Sequence, residues 1–443
     1  MGRRRHGPAP RRPRSPRRPE KVRLPGLEHL LRRRVQAVRT EAMTVPPRVS
    51  AGEVFQHFRG SPPLTRARLS VLTGLSRAAT TDRIRTLASR GLIGPTNEAP
   101  STGGRPSAQY RLMPNGGLVM SVLLGAHEAK VQAFDLSGQP LNAAKRVETG
   151  RGGPAAILDS CLAAATSHLN SMDPIPLQLV ATGVALDEDA PDLEWPEHFG
   201  GRPVVIDSAL GAMATAEALS RTPRAQNMLF LDVGKTIDCA VLLHGRTLGA
   251  LRTSKGAFGH TPVKSKSAKG TSVLACACGT TNCLQSIAGE EAIIASLSSD
   301  SRDEPDAISD AVRRADAAAA SALRQAGRDI GDTLLGSIHL LRPEVITVRT
   351  RWPGGTDLLL AGLKEAVYVG GAPAATENLV LASSRNGSPA TGIALRAMDT
   401  GLAVEQVDRL LSAPPGLSGQ LVCRPAQRKS TDHQRAHLLT GRG

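Results

Sequence analysis

The sequence predicts an α/β protein headed by a winged helix-turn-helix, and three observations lead there. Residues 50–112 hold three helix-period segments, then two apolar pieces around a Gly/Pro-rich loop. From Gly117 onward, apolar runs of strand length alternate with helix-period segments. Positive charge sits ahead of that change. The net +16 of the 443-residue chain divides into +12 over residues 1–40, +6 over 50–111 and −2 beyond. A basic front on a near-neutral body implies a polyanionic partner for the front.

Residues 1–24, "MGRRRHGPAPRRPRSPRRPEKVRL", are Arg/Pro-rich and read as an extended or disordered arm, with a short helix at about 26–39. "AGEVFQHFRG" reads as a helix with Val54, Phe55 and Phe58 inward. "LTRARLSVLTGLSRAATTDRIRTLASRGLI" reads as helix, turn, helix. Thr65 and Ser76 stand at N-cap positions because a side-chain oxygen there satisfies an unpaired amide of the first turn. Gly74 falls in the turn. Leu69 and Leu72 are expected to face the core from the first helix. Thr80, Ile84 and Leu87 follow i, i+4, i+7 on the second. "GLI" (91–93) and "QYRLM" (109–113) read as strands flanking "GPTNEAPSTGGRPSA", which has a hairpin loop's composition.

Beyond Gly117, "GLVMSVLL", "AKVQAFDL", "IPLQLVATGVAL" and "PVVI" read as strands, with helices in "PAAILDSCLAAATSHLNSM" and "DSALGAMATAEAL". "NMLFLDVG", "CAVLLHG" and "TLGALRT" make a second strand set. One long Ala-rich helix is expected from about Asp306 to Leu341, strands in "EVITV" and "NLVLA", and helices at about 356–367 and 390–411. The expected boundaries are 1–49 (basic arm and short helix), 50–114 (winged helix-turn-helix), 115–412 (body) and 413–443 (flexible tail). No apolar run approaches the roughly 18 residues of a membrane helix, and no apolar segment of signal-peptide type follows the basic start. The expectation is a cytoplasmic protein without membrane contact. There, clustered cysteines bind metal more often than they pair. Cys276, Cys278 and Cys283 lie within eight residues of one another.

The winged helix, "TGLS" at 73–76, "GRP" at 104–106, "GHT" at 259–261 and "CACGTTNCLQSIAG" at 276–289 together resemble the ROK family (repressors, open reading frames, kinases), in its transcriptional-regulator branch. The likeness covers roughly residues 50–412. It implies that the body has a two-lobed actin-like/sugar-kinase ATPase fold. It also implies a structural Zn²⁺ held by His260, Cys276, Cys278 and Cys283, since thiolate and imidazole suit that ion. An insertion, "KSKSAKG", lengthens the gap between His260 and Cys276. The alternative for the cysteines is reduced thiols on a loop.

The family's kinase motifs are eroded. Asp207 matches the position of the general base, but Ile206 replaces the Asn before it. Leu123 stands where the first phosphate loop has Asp, and the second loop reads "GKTIDCA", with Lys235, Asp238 and Ala240 at glycine or small positions. Ala257 and Gln285 replace sugar-binding Glu residues, and the segment 186–203 is short. Asp207 is then either a remnant or the N-cap of the helix after it. "GKT" at 234–236 lacks the upstream glycine of a phosphate-binding P-loop.

These readings predict a sequence-specific DNA-binding transcriptional regulator rather than an enzyme, with zinc as cofactor and no ATP. Its partners would be double-stranded DNA, further copies of the chain in a homodimer or higher homo-oligomer, and a small-molecule effector of unidentified class. Arg77, Thr81 and Arg85 on the second helix, which Ser76 begins, would lie nearest base edges, and Thr65, Arg66 and Arg68 near phosphates. Arg105 would enter the minor groove beside the wing. The alternatives are a constitutive DNA binder using its body only to dimerise, and an active ATP-dependent sugar kinase.

Overall fold

The structure is a computed structural model that describes residues 49–96, 108–150, 152–167, 178–248, 257–263, 275–280, 282–297, 306–385 and 387–413. The chain divides into two compact units, residues 1–49 and 50–443, and every element below lies in the second. The arm, the short helix near 26–39, the wing tip with Arg105, the "KSKSAKG" insertion and the tail beyond residue 413 lie outside the described residues.

Helix α1 (Ala51–Gln56) opens with a capping box. The Ser50 hydroxyl accepts from the Glu53 amide while the Glu53 carboxylate accepts from the Ser50 amide. Val54, Phe55 and Phe58 are buried as the pattern requires. Strand β1 (Leu64–Thr65) leads into α2 (Arg66–Thr73), capped by Thr65, and α3 (Arg77–Ser89), capped by Ser76. Gly74 joins them at φ +70°, a left-handed turn that glycine adopts without steric cost. Strands β2 (Ile93–Thr96) and β3 (Gln109–Leu112) pair antiparallel, and β1 adds to β3. Three helices and this three-stranded sheet make a winged helix.

One expectation here is corrected. Leu69 is buried, but Leu72 is 41% exposed. Helix α2 meets α3 through Leu69 and through a hydroxyl pair, Ser70 Oγ to Thr80 Oγ1 at 2.9 Å, so its last turn projects past the core. That pair, with the Ser76 carbonyl, satisfies the fully buried Thr80 hydroxyl.

The body contains two sheets among the described residues. The first runs β6-β5-β4-β7-β9-β8, formed by β4 (Leu118–Leu124), β5 (Glu128–Asp135), β6 (Lys145–Glu148), β7 (Leu179–Leu186), β8 (His198–Phe199) and β9 (Arg202–Ser208). The second runs β12-β11-β10-β13-β14, formed by β10 (Met228–Val233), β11 (Ile237–Leu243), β12 (Arg246–Thr247), β13 (Val345–Thr350) and β14 (Val380–Ser383). In each, three antiparallel strands at one side continue into parallel strands, and β8 closes the first sheet antiparallel to β9. Helix α4 (Pro154–Thr166) buries Ile157, Leu158 and Cys161 on the first sheet. Helix α5 (Ala209–Ser220) follows β9 but packs Met213, Ala214 and Ala218 against Met228, Phe230 and Leu242 of the second sheet. It therefore ties one lobe to the other.

Short helices α6 (Leu284–Ala288) and α7 (Glu290–Ala295) precede the helical layer of the second lobe. The single helix expected over 306–341 is two, α8 (Ala307–Arg313) and α9 (Ala317–Leu341). The Asp316 carboxylate accepts from the amides of Ala318 and Ala319, starting a new helix where the sequence pattern continues unbroken. Helices α10 (Gly355–Gly370) and α11 (Pro373–Thr376) follow. The last expected helix also divides, into α12 (Pro389–Gly401) and α13 (Val404–Ser412), with Leu402 and Ala403 at the corner.

Helices α9 and α10 approach closely enough that a Cβ on Gly362 would overlap the Arg324 carbonyl. Backbone cannot yield there as a flexible side chain can. Gly362→Ala is expected to lower unfolding stability by about 1–3 kcal/mol, read as a reduced urea midpoint at unchanged slope. An unchanged midpoint would contradict the packing.

Candidate functional site

The structure places the predicted site residues in three places. The first is the outer face of the helix-turn-helix. Thr80, Ile84 and Leu87 turn inward from α3, while Arg77 and Arg85 are exposed and Thr81 half-buried on the flanking stripe, about a quarter-turn around the helix. Arg66 and Arg68 are exposed at the start of α2. Arg66 lies 5.5 Å over the Tyr110 ring and donates to its hydroxyl at 2.6 Å, so the sheet holds its guanidinium. Thr65 and Ser76 spend their side chains on the caps.

The second place is the Cys/His cluster. His260, Cys276, Cys278 and Cys283 bring one ligand atom each to within 4.8 Å of one another. Cys276 Sγ is 3.4 Å from His260 Nδ1, Cys283 Sγ is 3.9 Å from the same nitrogen, and Cys278 Sγ is 3.9 Å from Cys283 Sγ. A tetrahedral zinc with ordinary Zn–S and Zn–N bonds has edges of about 3.6–3.8 Å, so the donor set fits that ion. The His260 loop is held by backbone hydrogen bonds. Val263 N donates to Asn282 O at 2.9 Å, Leu284 N to Thr261 O at 3.0 Å and Gln285 N to Gly259 O at 2.6 Å, binding that loop to the Cys283 segment. Burial opposes ionisation of Cys283, but hydrogen bonds from His260 and Ser286 outweigh it and bring the thiol down to about 6.

The third place is a cavity of about 720 Å³ between the lobes. Six carboxylates line it: Asp187, Glu188, Asp192, Asp207, Asp232 and Asp238. Arg349 also lines it and pairs with Asp232 at 2.9 Å. Burial raises the Asp232 carboxyl above its usual range against that pairing. Leu123 and Ala257 line it where the kinase motifs would have acids. The short 186–203 segment still forms a wall, through Asp187, Glu188, Pro191 and Asp192.

Asp207 is 1% exposed, and of the two sequence expectations for it the N-cap fails. It does not cap α5. Strand β9 runs one residue further, and Ser208 is the N-cap, accepting from Gly211 N at 2.9 Å. Asp207 instead accepts from Arg396 Nη1 of α12, from Thr247 Oγ1 at 3.1 Å and from Ser208 N at 2.8 Å. Arg396 Nη1 is also 2.6 Å from Thr247 Oγ1. Thr247 belongs to the second sheet and Asp207 to the first, so this junction crosses the cleft. A second crossing joins Thr236 Oγ1 to Glu188 Oε1 at 2.9 Å.

Sequence reasoning missed Arg396. Its only sequence signal is a lone arginine in an otherwise small and apolar helix segment, "TGIALRAM". The role of Gln285 was also missed. Its Oε1 accepts from Ile237 N and its Nε2 donates to Lys235 O, both at 2.9 Å. It braces the 234–237 turn, where Gly234 N already donates to Thr236 O at 3.0 Å.

Residues 196–399 match the ROK family model. The chain carries a ROK-family domain. Over 379 residues it is 22% identical to the DNA-binding transcriptional dual regulator NagC of Escherichia coli (strain K12), covering 78% of this chain and 92% of that protein. It is 20% identical over 327 residues to the xylose repressor of Bacillus subtilis (strain 168), covering 69% and 83%. Among solved structures, a ROK family transcriptional regulator described as a homolog of the E. coli MLC protein superposes with a TM-score of 0.62 at 20% identity. That match covers 82% of this chain and 99% of the other, so the shared fold extends well beyond the matched ROK segment. Among the described residues no helix is long and apolar enough to cross a membrane.

The buried ion pair generates a stability prediction. Arg396→Met leaves Asp207 charged, buried and short of a partner, and should cost about 3–5 kcal/mol. Asp207→Asn/Arg396→Met should recover much of that loss in denaturant melts. Equal losses in single and double variants would contradict the pairing.

Proposed function

We propose that this chain is a sequence-specific DNA-binding transcriptional regulator whose ROK domain senses rather than phosphorylates. The observation that carries the reading is the capped helix α3, with Thr80, Ile84 and Leu87 buried and Arg77, Thr81 and Arg85 along its flanking stripe, the two arginines exposed. A helix so presented enters the major groove, where arginine contacts guanine bidentately and threonine contacts base or phosphate. Thr65, Arg66 and Arg68 lie toward the backbone, where contacts position without specifying. Ser76 begins the recognition helix, and Arg105, outside the described residues, is assigned the minor-groove contact from the sequence. The relatives, the transcriptional dual regulator NagC and the xylose repressor, support the same function. A homodimer would present two such helices to two half-sites. On this reading the working boundaries are 50–114 for DNA binding and 115–412 for the sensor, with 1–49 and 413–443 outside both.

The non-catalytic reading rests on groups already committed. The Gly234 amide, which would otherwise face a phosphate, is bonded within its own turn, and Asp238 lines the cavity beside it. Leu123 offers no oxygen to Mg²⁺. Asp207 is tied to Arg396, so it cannot accept a proton from a substrate hydroxyl without first losing that partner. His260, Cys276, Cys278 and Cys283 would hold a structural Zn²⁺. When bound, that ion would pin the His260 loop to α6, and Gln285 at the start of α6 would carry that order into the 234–237 turn.

Two measurements test these assignments. Selection from a random duplex library should enrich a motif, and Arg77→Ala should cost about 1–3 kcal/mol of discrimination at one base position. Affinity should fall steeply with salt as counterions are released. A library that yields no enriched motif would remove the sequence-specific reading. Separately, freshly purified, reduced protein should contain about one Zn²⁺ per chain, lost in Cys278→Ser together with part of the thermal stability. Metal-free protein would overturn the zinc assignment.

A further inference from the structure

Helix α12 has one end at the cavity and the other at the DNA-binding unit. Pro389, its first residue, lines the cavity. Its 13 residues span about 20 Å at 1.5 Å per residue. Arg396 meets Asp207 and Thr247 at the junction across the cleft. One turn on, Asp399 pairs with Arg59 just after α1. The corner that follows holds α1 as well: Gln56 Nε2 donates to Leu402 O at 2.8 Å, and Gly52 N donates to Asp408 Oδ1 of α13 at 2.8 Å. Arg90, the C-cap of α3, donates to the carbonyls of Leu411 and Ala413 at the end of α13.

The helix is bedded tightly enough to move as one piece. A Cβ on Gly392 would overlap the Ala212 carbonyl of α5, one on Gly183 of β7 would meet the Ile393 carbonyl, and one on Gly401 would meet the Val180 carbonyl. Backbone packed on backbone leaves little room for side chains to absorb a shift locally. A displacement at Arg396 is therefore delivered at Asp399 and at the α12–α13 corner.

We propose that Arg396 is the residue through which cavity and DNA-binding helices sense each other, with α12 as the rigid link from the Asp207–Thr247 junction to Arg59 and Gln56. The inference rests on the DNA-binding regulator reading. A ligand entering the cavity and engaging Asp207 competes with Arg396 for that carboxylate. The occupied and empty cavity then differ in where α12 sits, and so does the seat of α1. Coupling of this kind is reciprocal: DNA that prefers one seat of α1 favours one state of the junction.

The test uses full-length protein with Arg396→Met, with Asp399→Asn/Gln56→Ala, and with the three substitutions combined. Two properties are measured: affinity for the duplex selected by the unaltered protein, and amide hydrogen exchange of residues 51–56 without DNA. Arg396→Met is expected to change affinity by about fivefold or more and to speed exchange over 51–56. With Asp399 and Gln56 already altered, Arg396→Met should change neither property further, because the link is already cut. General destabilisation would instead add to both. Affinity within twofold of the unaltered protein together with unchanged exchange, or effects that add, would overturn the proposal. Should Arg396→Met fail to fold, Thr247→Val removes the hydroxyl that crosses the cleft and leaves the ion pair. It is expected to act in the same direction, and no effect of it on either property would overturn the proposal. If the unaltered protein selects no duplex, the DNA-binding reading fails, and hydrogen exchange alone decides whether the link exists.

Discussion

A carboxylate buried to 1% exposure must find a cation, and the way Asp207 finds one organises the body of this protein. Its partner, Arg396, comes from a helix 189 residues further along the chain. For the guanidinium to reach, α12 must lie against α5 at backbone distance, which Gly392 permits. It must also lie against β7, which Gly183 permits. Thr247 then completes the junction from the opposite sheet, so the two lobes meet at a satisfied polar point as well as through the apolar face of α5. The same helix continues to Asp399 and the corner that seats α1. Fold, cleft and DNA-binding unit share one mechanical element.

On the proposed reading the carboxylates make the cavity a poor place for free phosphates. Six acids line it, with Arg349 engaged by Asp232. An anionic phosphoryl group would meet net negative charge and a turn whose Gly234 amide is already bonded. Neutral or cationic polar groups meet acceptors instead. The four-residue Cys/His cluster stands to one side of this, yet it is not isolated. Gln285 links it to the 234–237 turn, and Thr236 links that turn across the cleft to Glu188.

The helix-turn-helix was legible in the sequence because its signals are local. Thr65 and Ser76 cap their helices, Gly74 takes the left-handed turn, and Thr80, Ile84 and Leu87 keep helical period. Leu72 misled because an apolar residue at helical spacing does not say how far the neighbouring helix extends. The breaks at Asp316 and at Leu402–Ala403 were hidden in otherwise periodic sequence: a side-chain oxygen capturing two amides outweighed continuity in one case, and the packing of α13 on α1 sets the new direction in the other. The family resemblance supplied His260 as the fourth ligand, and the three cysteines could be grouped from their spacing and chemistry. Arg396 could not. Its significance depends on a contact across 189 residues, and its one-residue signature in a small-residue helix says nothing about which carboxylate it meets. The N-cap alternative for Asp207 fails because the residue before a helix looks like a cap until the strand is seen to run through it to Ser208.

The claim that this ROK-family body has turned its catalytic-position carboxylate to structural and signalling use is tested most directly by a single variant, Asp207→Asn, assayed side by side for duplex affinity and for ATP-dependent phosphorylation of hexoses and amino sugars. The account predicts altered DNA affinity in the variant, and no sugar phosphate formed by either protein. Sugar phosphate formed by the unaltered chain and abolished by Asp207→Asn, with DNA affinity unchanged, would contradict it.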